Sequence, residues 1–170
     1  MNEKNIVSIR PLSVEDEKLI FEWISDSQLR KMIGTRGTPN FQSHRIWFEN
    51  KLKDSNNEIR IIENNAQPVG IIGTNEIDRL NQNAEMYLYI GEKREKGKGI
   101  ATVAVNQFVT YISEKYQLHK ITARIFSFNK VSIRLFEKCG FLLEGVQKEH
   151  VYQYDEDNYA DLLWYAFFID

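Results

Sequence analysis

The 170-residue chain has a single cysteine, Cys139, and only three prolines. One thiol cannot close an intrachain disulfide, so a disulfide-framed secreted domain is excluded and a reducing compartment is expected. No run of about 18 apolar residues occurs, which argues against a membrane-spanning helix. The opening segment MNEKNIVSIRPL lacks the apolar stretch of a secretory signal. An excess of one charge is missing too: 22 basic residues against 24 acidic ones leave a net charge of −2. So even a balance gives no electrostatic reason to expect nucleic acid or an anionic membrane as partner. The expectation is a cytoplasmic protein that uses neither.

What is present suits one core. The chain is 42% hydrophobic and 12% aromatic, with no repeat, low-complexity segment or linker to divide it. We expect one domain over residues 1–170, with its core at about 7–168. Ile6–Leu12 alternates like an opening strand. Ser13-Val-Glu-Asp16 resembles a capping box that starts a helix through about Ile24. Gly34–Pro39 reads as a loop, and Ser43 as the cap of a second helix carrying Trp47, Phe48 and Leu52. Three strands follow as an antiparallel meander: Glu58–Glu63, Pro68–Asp78 and Ala84–Gly91. The clearest helix runs from Ile100 to Tyr116, with Ala101, Ala104, Val105, Phe108 and Ile112 on one face. Lys120–Phe126 is a strand. Asn129 caps a helix with Ser132, Leu135, Phe136 and Cys139 inward, and Gly140 is placed to end it left-handed. Leu142–Tyr154 and Ala160–Phe168 form a last hairpin around Asp155–Asn158. The order β-α-α-β-β-β-α-β-α-β-β implies a mixed α/β (α+β) fold with helices on both faces of the sheet.

The segment richest in chemistry is Glu85-Met-Tyr-Leu-Tyr-Ile-Gly-Glu-Lys-Arg-Glu-Lys96-Gly97-Lys98-Gly99-Ile100-Ala101-Thr102. A strand enters a glycine loop that opens an amphipathic helix. The first amides of a helix have no internal partner, and the dipole makes that end positive. Such a loop suits a diphosphate, and Lys96 and Lys98 add charge. A Walker loop is excluded because Ile100 follows Gly99 where Lys is needed. A dinucleotide fingerprint departs from the pattern at Thr102, where its third glycine belongs.

Three blocks together resemble the GCN5-related N-acetyltransferases (GNAT). Lys96-Gly97-Lys98-Gly99-Ile100-Ala101 is similar to the family's [Q/R]-x-x-G-x-[G/A], with Lys in the first position; a register shifted to start at Arg94 is the alternative. Asn129-Lys-Val-Ser132-Ile-Arg-Leu-Phe136-Glu-Lys-Cys-Gly140-Phe141 looks like N-x-x-S-x-x-x-[Y/F]-x-K-x-G-F. Leu143–Val151 followed by Tyr159-Ala-Asp161 is similar to the branch with ribosomal-protein, spermidine and amino-sugar acetyltransferases. Ile9-Arg10-Pro11-Leu12 matches the usual first strand. The resemblance implies a GNAT-like twisted, mostly antiparallel sheet and acetyl-CoA as acetyl donor.

It further implies that backbone groups of Leu88, Tyr89 and Ile90 pair with the pantetheine like an added strand. Lys96, Gly97, Lys98, Gly99, Ile100 and Ala101 would hold the pyrophosphate, with Asn129, Ser132 and Phe136 beside the pantetheine arm. Asn129 and Ser132 could equally serve only as helix caps, and Phe136 as core. Family members often place a base at the start of the cofactor strand, which makes Glu85 the catalytic candidate; His44 and His150 are weaker ones. Many members use a tyrosine where this chain has Phe136, so the group that protonates the leaving thiolate is unassigned. Cys139, on a buried helical face, is not expected to be a nucleophile. Trp47, Tyr87 and Tyr152 are expected to shape the acceptor site, and Asp155, Glu156, Asp157 and Asp161 sit near the final turn. No metal is expected. The partner is a small-molecule or peptide amine, and a homodimer is left open. The competing function is a non-catalytic acyl-CoA sensor, to which loss of the tyrosine is suited and retention of Glu85 is not. A nucleotide-binding protein is the third option.

Overall fold

The computed structural model describes residues 5–169. Its strands are β1 (Val7–Pro11), β2 (Ile59–Asn64), β3 (Gln67–Asp78), β4 (Asn83–Ile90), β5 (Lys120–Phe126), β6 (Leu142–Gln153) and β7 (Asn158–Phe168). Its helices are α1 (Glu17–Ser25), α2 (Ser27–Ile33), α3 (Phe41–Lys53), α4 (Ile100–Tyr116) and α5 (Lys130–Lys138). One seven-stranded sheet runs β1-β2-β3-β4-β5-β7-β6. Its pairs are antiparallel except β4–β5, which is parallel. No helix among the described residues is long and apolar enough to cross a membrane.

The helix ends follow local chemistry. The Asp16 carboxylate accepts from the Ser13 amide at 2.9 Å and hydroxyl at 3.1 Å, the capping box expected at that point. It also pairs with Arg10 at 2.7 Å, tying the head of α1 to β1. Helix α2 is absent from the sequence reading. Its seven residues are too few to show a period, yet Asp26 caps it by accepting from the Leu29 amide, and left-handed Gly34 ends it. The cap of α3 is Asn40 rather than Ser43, since Asn40 Oδ1 accepts from the Ser43 amide at 2.9 Å. The helix at Ile100–Tyr116 and the strand at Lys120–Phe126 fall where expected.

Strand alternation sorts the core into two layers. Ala84 and Met86 of β4 and Ile121, Ala123 and Ile125 of β5 face α4 and α5, meeting Ala104, Val105, Phe108, Ile112 and Phe136. Each of the larger side chains in this set, taken from water, contributes roughly 1.5–3 kcal/mol. Ala101, expected on that inner face, is only half buried, while Ile100 and Val109 are buried. The opposite face packs Ile61, Ile71 and Tyr89 against Ile20, Trp23, Leu29 and Phe48 from α1–α3. This second layer leaves part of the sheet around the base of β4 and β5 uncovered, and the polar cavity described next opens there.

Candidate active site

The parallel pairing of β4 with β5 is short. It holds only Asn83–Glu85 against Lys120–Thr122, although β4 continues to Ile90. Beyond Glu85 the strands splay, and the β5-facing backbone of residues 86–90 has no strand partner. On its other side this stretch pairs with β3 throughout. Leu88, Tyr89 and Ile90 therefore lie on an open sheet edge inside the molecule, a slot for an extended ligand to complete.

The slot leads to the head of α4. Gly97 and Gly99 have φ of +78° and +80°, and a Cβ built on either meets nothing within 4 Å. These are left-handed backbone positions beside open space. The first intrahelical bond of α4 runs from the Val103 amide to the Gly99 carbonyl at 3.4 Å. The Ile100, Ala101 and Thr102 amides precede it and have no helical acceptor. Lys96 is exposed; Lys98 is held at 2.8 Å by Glu95. An open strand edge ending at a positive helix terminus fits an extended arm carrying a diphosphate, as coenzyme A does.

At the narrow end of the slot lies a cavity of about 330 Å³, lined by Asn75, Glu76, Asp78, Asn83, Glu85, Thr122, Arg124 and Trp164. Strand register assembles it. Glu76 sits opposite Glu85, Glu85 opposite Thr122, and Arg124 opposite Trp164. A bulge between Thr74 and Glu76 shifts the register at Asn75. The Asn75 side chain donates to Glu85 Oε1 at 2.5 Å, and the Arg124 guanidinium lies 2.9 Å from the same oxygen. No hydrogen bond to Oε2 occurs among the described residues. Arg124 is itself stacked 5.4 Å over Trp164.

The remaining expected residues are dispersed. Asn129 caps α5 by accepting from the Ser132 amide at 3.2 Å, and its Nδ2 donates to the Met32 carbonyl at 3.3 Å. Phe136 is buried against Phe141, with ring centroids 4.9 Å apart. Trp47, Tyr87 and Tyr152 do not come together, and none lines the cavity. Trp47 stacks on His44 at 5.6 Å on the outside of α3. Tyr87 packs against the α1–α3 layer, with its hydroxyl beside Gly73 of β3. Tyr152 donates to Asp157 and packs against Tyr154 and Tyr159.

The acidic turn is largely neutralised from within. Lys31 pairs with Glu156 at 3.1 Å and Asp155 at 3.6 Å, and Lys148 with Asp161 at 2.8 Å. Arg36 also reaches this hairpin, donating to the Tyr154 hydroxyl at 3.0 Å and the Tyr152 carbonyl at 3.3 Å.

The two histidine candidates are set apart from the cavity. His44 is buried, with Nε2 3.0 Å from the Glu17 carbonyl, and desolvation lowers its pKa. His150 is exposed on β6. Desolvation raises the Cys139 thiol, which keeps it protonated and unreactive. Among the described residues no group of three or more metal-ligating side chains gathers.

Sequence reasoning missed Asn75, Glu76, Asp78, Asn83, Thr122, Arg124 and Trp164. Their only signal was polar or half-polar character at outward strand positions, and their convergence depends on pairing across four strands.

Comparison with known proteins shows the family and the fold. Residues 7–142 match the model of the acetyltransferase (GNAT) domain. A spermidine N(1)-acetyltransferase of Vibrio cholerae is 32% identical over 145 residues, covering 76% of this chain and 82% of its own. A prophage-derived N-acetyltransferase of Bacillus subtilis is 29% identical over 146 residues, covering 86% and 81%. The crystal structure of the Vibrio cholerae spermidine N-acetyltransferase with CoA and spermine superposes with a TM-score of 0.88, at 21% identity and 95% coverage of both chains. The chain belongs to the GNAT family of acetyltransferases. It is an acetyl-CoA-dependent N-acetyltransferase.

Proposed function

We propose that the enzyme transfers acetyl directly from acetyl-CoA to a primary amine of a small molecule, with Glu85 as base. The observation that carries this reading is the carboxylate of Glu85 at the closed end of the β4–β5 slot, facing a polar cavity. The donor supplies an activated acetyl thioester. Unpaired backbone of Leu88, Tyr89 and Ile90 would align its arm. The head of α4, with Lys96, Gly97, Lys98, Gly99, Ile100 and Ala101, would hold the diphosphate. Ser132 at the start of α5 would border the arm.

An acceptor amine with a pKa of about 10.4 is neutral in about one molecule in 2,500 at pH 7, a deficit of about 4–5 kcal/mol. Glu85 removes the ammonium proton, directly or across one water. Asn75 and Arg124 fix one of its oxygens and leave the other for that proton. The thiolate proton cannot come from Phe136, a buried phenyl ring. Tyr87 does not replace it, because its hydroxyl lies over β3. Solvent or the acceptor's own proton then completes the step.

Three carboxylates, Glu76, Asp78 and Glu85, line the cavity against one guanidinium. That balance favours a cationic acceptor with more than one amine over a neutral amino sugar or a peptide N-terminus. The spermidine acetyltransferase relative points the same way. A lone buried thiol suits a cytoplasmic setting. The exposed outer strand β6, with Leu142, Leu143 and Val146, supports self-association.

Thiol release from acetyl-CoA with a panel of polyamines, amino sugars and peptides tests the proposal. Turnover highest on polyamines is expected. Thermal stabilisation by coenzyme A without turnover on any amine would instead support the sensor reading.

A further inference from the structure

The glycine loop at the head of α4 has almost nothing packed on it, yet it must present its amides in one direction. Open space surrounds Gly97 and Gly99, so steric contact does not fix the loop. What does reach it is a ring of polar groups tied to the end of β2, two strands away from β4. Asn64, the last residue of β2, is only 7% exposed. Its Nδ2 donates to Glu95 Oε2 at 2.9 Å and to Asn5 Oδ1 at 3.2 Å. Asn5 Nδ2 donates to the Lys98 carbonyl at 3.1 Å, and Lys98 Nζ donates to Glu95 Oε1 at 2.8 Å. The circuit Asn64–Glu95–Lys98–Asn5–Asn64 is closed.

We propose that Asn64 is a positioning residue for the diphosphate loop, acting through Asn5 and Glu95 on Lys98 and Gly99. The inference rests on reading this loop as the coenzyme A site.

Peptide geometry supplies the first link. In a trans peptide the C=O and the following N–H point in opposite directions. Holding the Lys98 carbonyl toward Asn5 therefore aims the Gly99 N–H the other way, into open space at the head of α4. The second link is the orientation of the Asn5 amide. Asn64 engages Asn5 Oδ1, so Asn5 is left with its NH₂ toward Lys98. The third link is charge. Glu95 would repel a diphosphate, but both its oxygens are engaged, one by Asn64 and one by Lys98. The Lys98 hydrogen bond, followed by that from Asn64, also holds the Glu95 carboxyl below its usual range.

Asn64 achieves this at a cost. Its Oδ1 is buried without a partner. Turning the amide over would face that oxygen against the Glu95 carboxylate and Asn5 Oδ1, breaking both links. An unpaired buried oxygen is unfavourable, and in this orientation the two hydrogen bonds donated by the Asn64 amide offset it.

The test measures coenzyme A affinity by calorimetry and initial rates with the best amine of the panel. Asn64→Leu fills the same space without donors. Asn64→Asp reverses the link to Asn5 and repels Glu95. Each is expected to raise the coenzyme A Kd and the KM for acetyl-CoA about fivefold or more, with kcat and the acceptor KM within about twofold. Adding Glu95→Gln to Asn64→Asp restores a donor opposite residue 64 and is expected to recover part of the loss. Asn5→Ala alters an exposed residue, so it keeps the test open if a buried substitution unfolds the chain; it should weaken coenzyme A binding without lowering Tm. An unchanged Kd in Asn5→Ala and in a folded Asn64 variant would overturn the inference while leaving the acetyltransferase reading intact. A wild-type chain that binds no coenzyme A would overturn that reading and this inference with it.

Discussion

The two ends of the β4–β5 slot present different kinds of group. At the α4 end the groups on offer are backbone: strand edge, left-handed glycines and unpaired amides. At the cavity end the contacts are side chains: Glu76, Asp78, Glu85, Arg124 and Trp164 on a sheet face the other helices leave open. On the proposed reading, backbone recognises what every turnover shares, a diphosphate and an extended arm. On that same reading, side chains recognise what can vary, the acceptor, and supply the proton chemistry. Substitutions should therefore separate donor binding from catalysis.

The largest effect is expected at the cavity end. Glu85→Gln keeps the Asn75 and Arg124 neighbours but removes the base, and kcat should fall about 10²–10⁴-fold. Coenzyme A affinity measured by calorimetry should stay within about twofold. An equal loss of both would erase the division between the two ends.

The next effect belongs to the α4 end. Gly97→Ala with Gly99→Ala places two methyls in open space, so the penalty is conformational rather than steric. Left-handed backbone costs roughly 1–2 kcal/mol for each such residue, or about 2–4 kcal/mol together. The relaxed loop must be forced back when ligand binds, which predicts about 30- to 1,000-fold weaker coenzyme A association. Calorimetry on the double variant checks it.

The smallest effect concerns the layer beside the cavity. Desolvation depresses the His44 pKa, against the pull of the Glu17 carbonyl. Below about pH 6.5 the unfolded imidazole takes up a proton that the folded one refuses. The unfolded state then binds more protons, so stability falls as pH falls until the lower, folded pKa is passed. The slope is at most about 1.4 kcal/mol per pH unit. Thermal unfolding from pH 7.5 to 5 should show this limb in the wild type and lose it in His44→Gln.

Local signals made much of the donor end legible. Lys96-Gly97-Lys98-Gly99 and the amphipathic run from Ile100 are contiguous, and a helix head carries its own electrostatics wherever it packs. Glu85 was singled out through the family resemblance, in which a base often stands at the start of the cofactor strand. The cavity around it was not, because Asn75 depends on a bulge, and Arg124 and Trp164 meet across β5 and β7. Trp47, Tyr87 and Tyr152 were expected at the acceptor site from the places of their elements, but pleat direction and helix face disperse them. The acids of the final hairpin looked free in sequence. Lys31, well over a hundred residues away, pairs with two of them.

By itself the sequence determined most of the elements and marked the glycine loop at the head of α4, since periodicity, caps and glycines act over a few neighbouring residues. Only the tertiary structure decided how far β4 and β5 stay paired, which strand faces line the cavity, and that Asn64 reaches the loop across the sheet. Those depend on register and layer packing, where residues distant in the chain compete for the same space and the same hydrogen bonds.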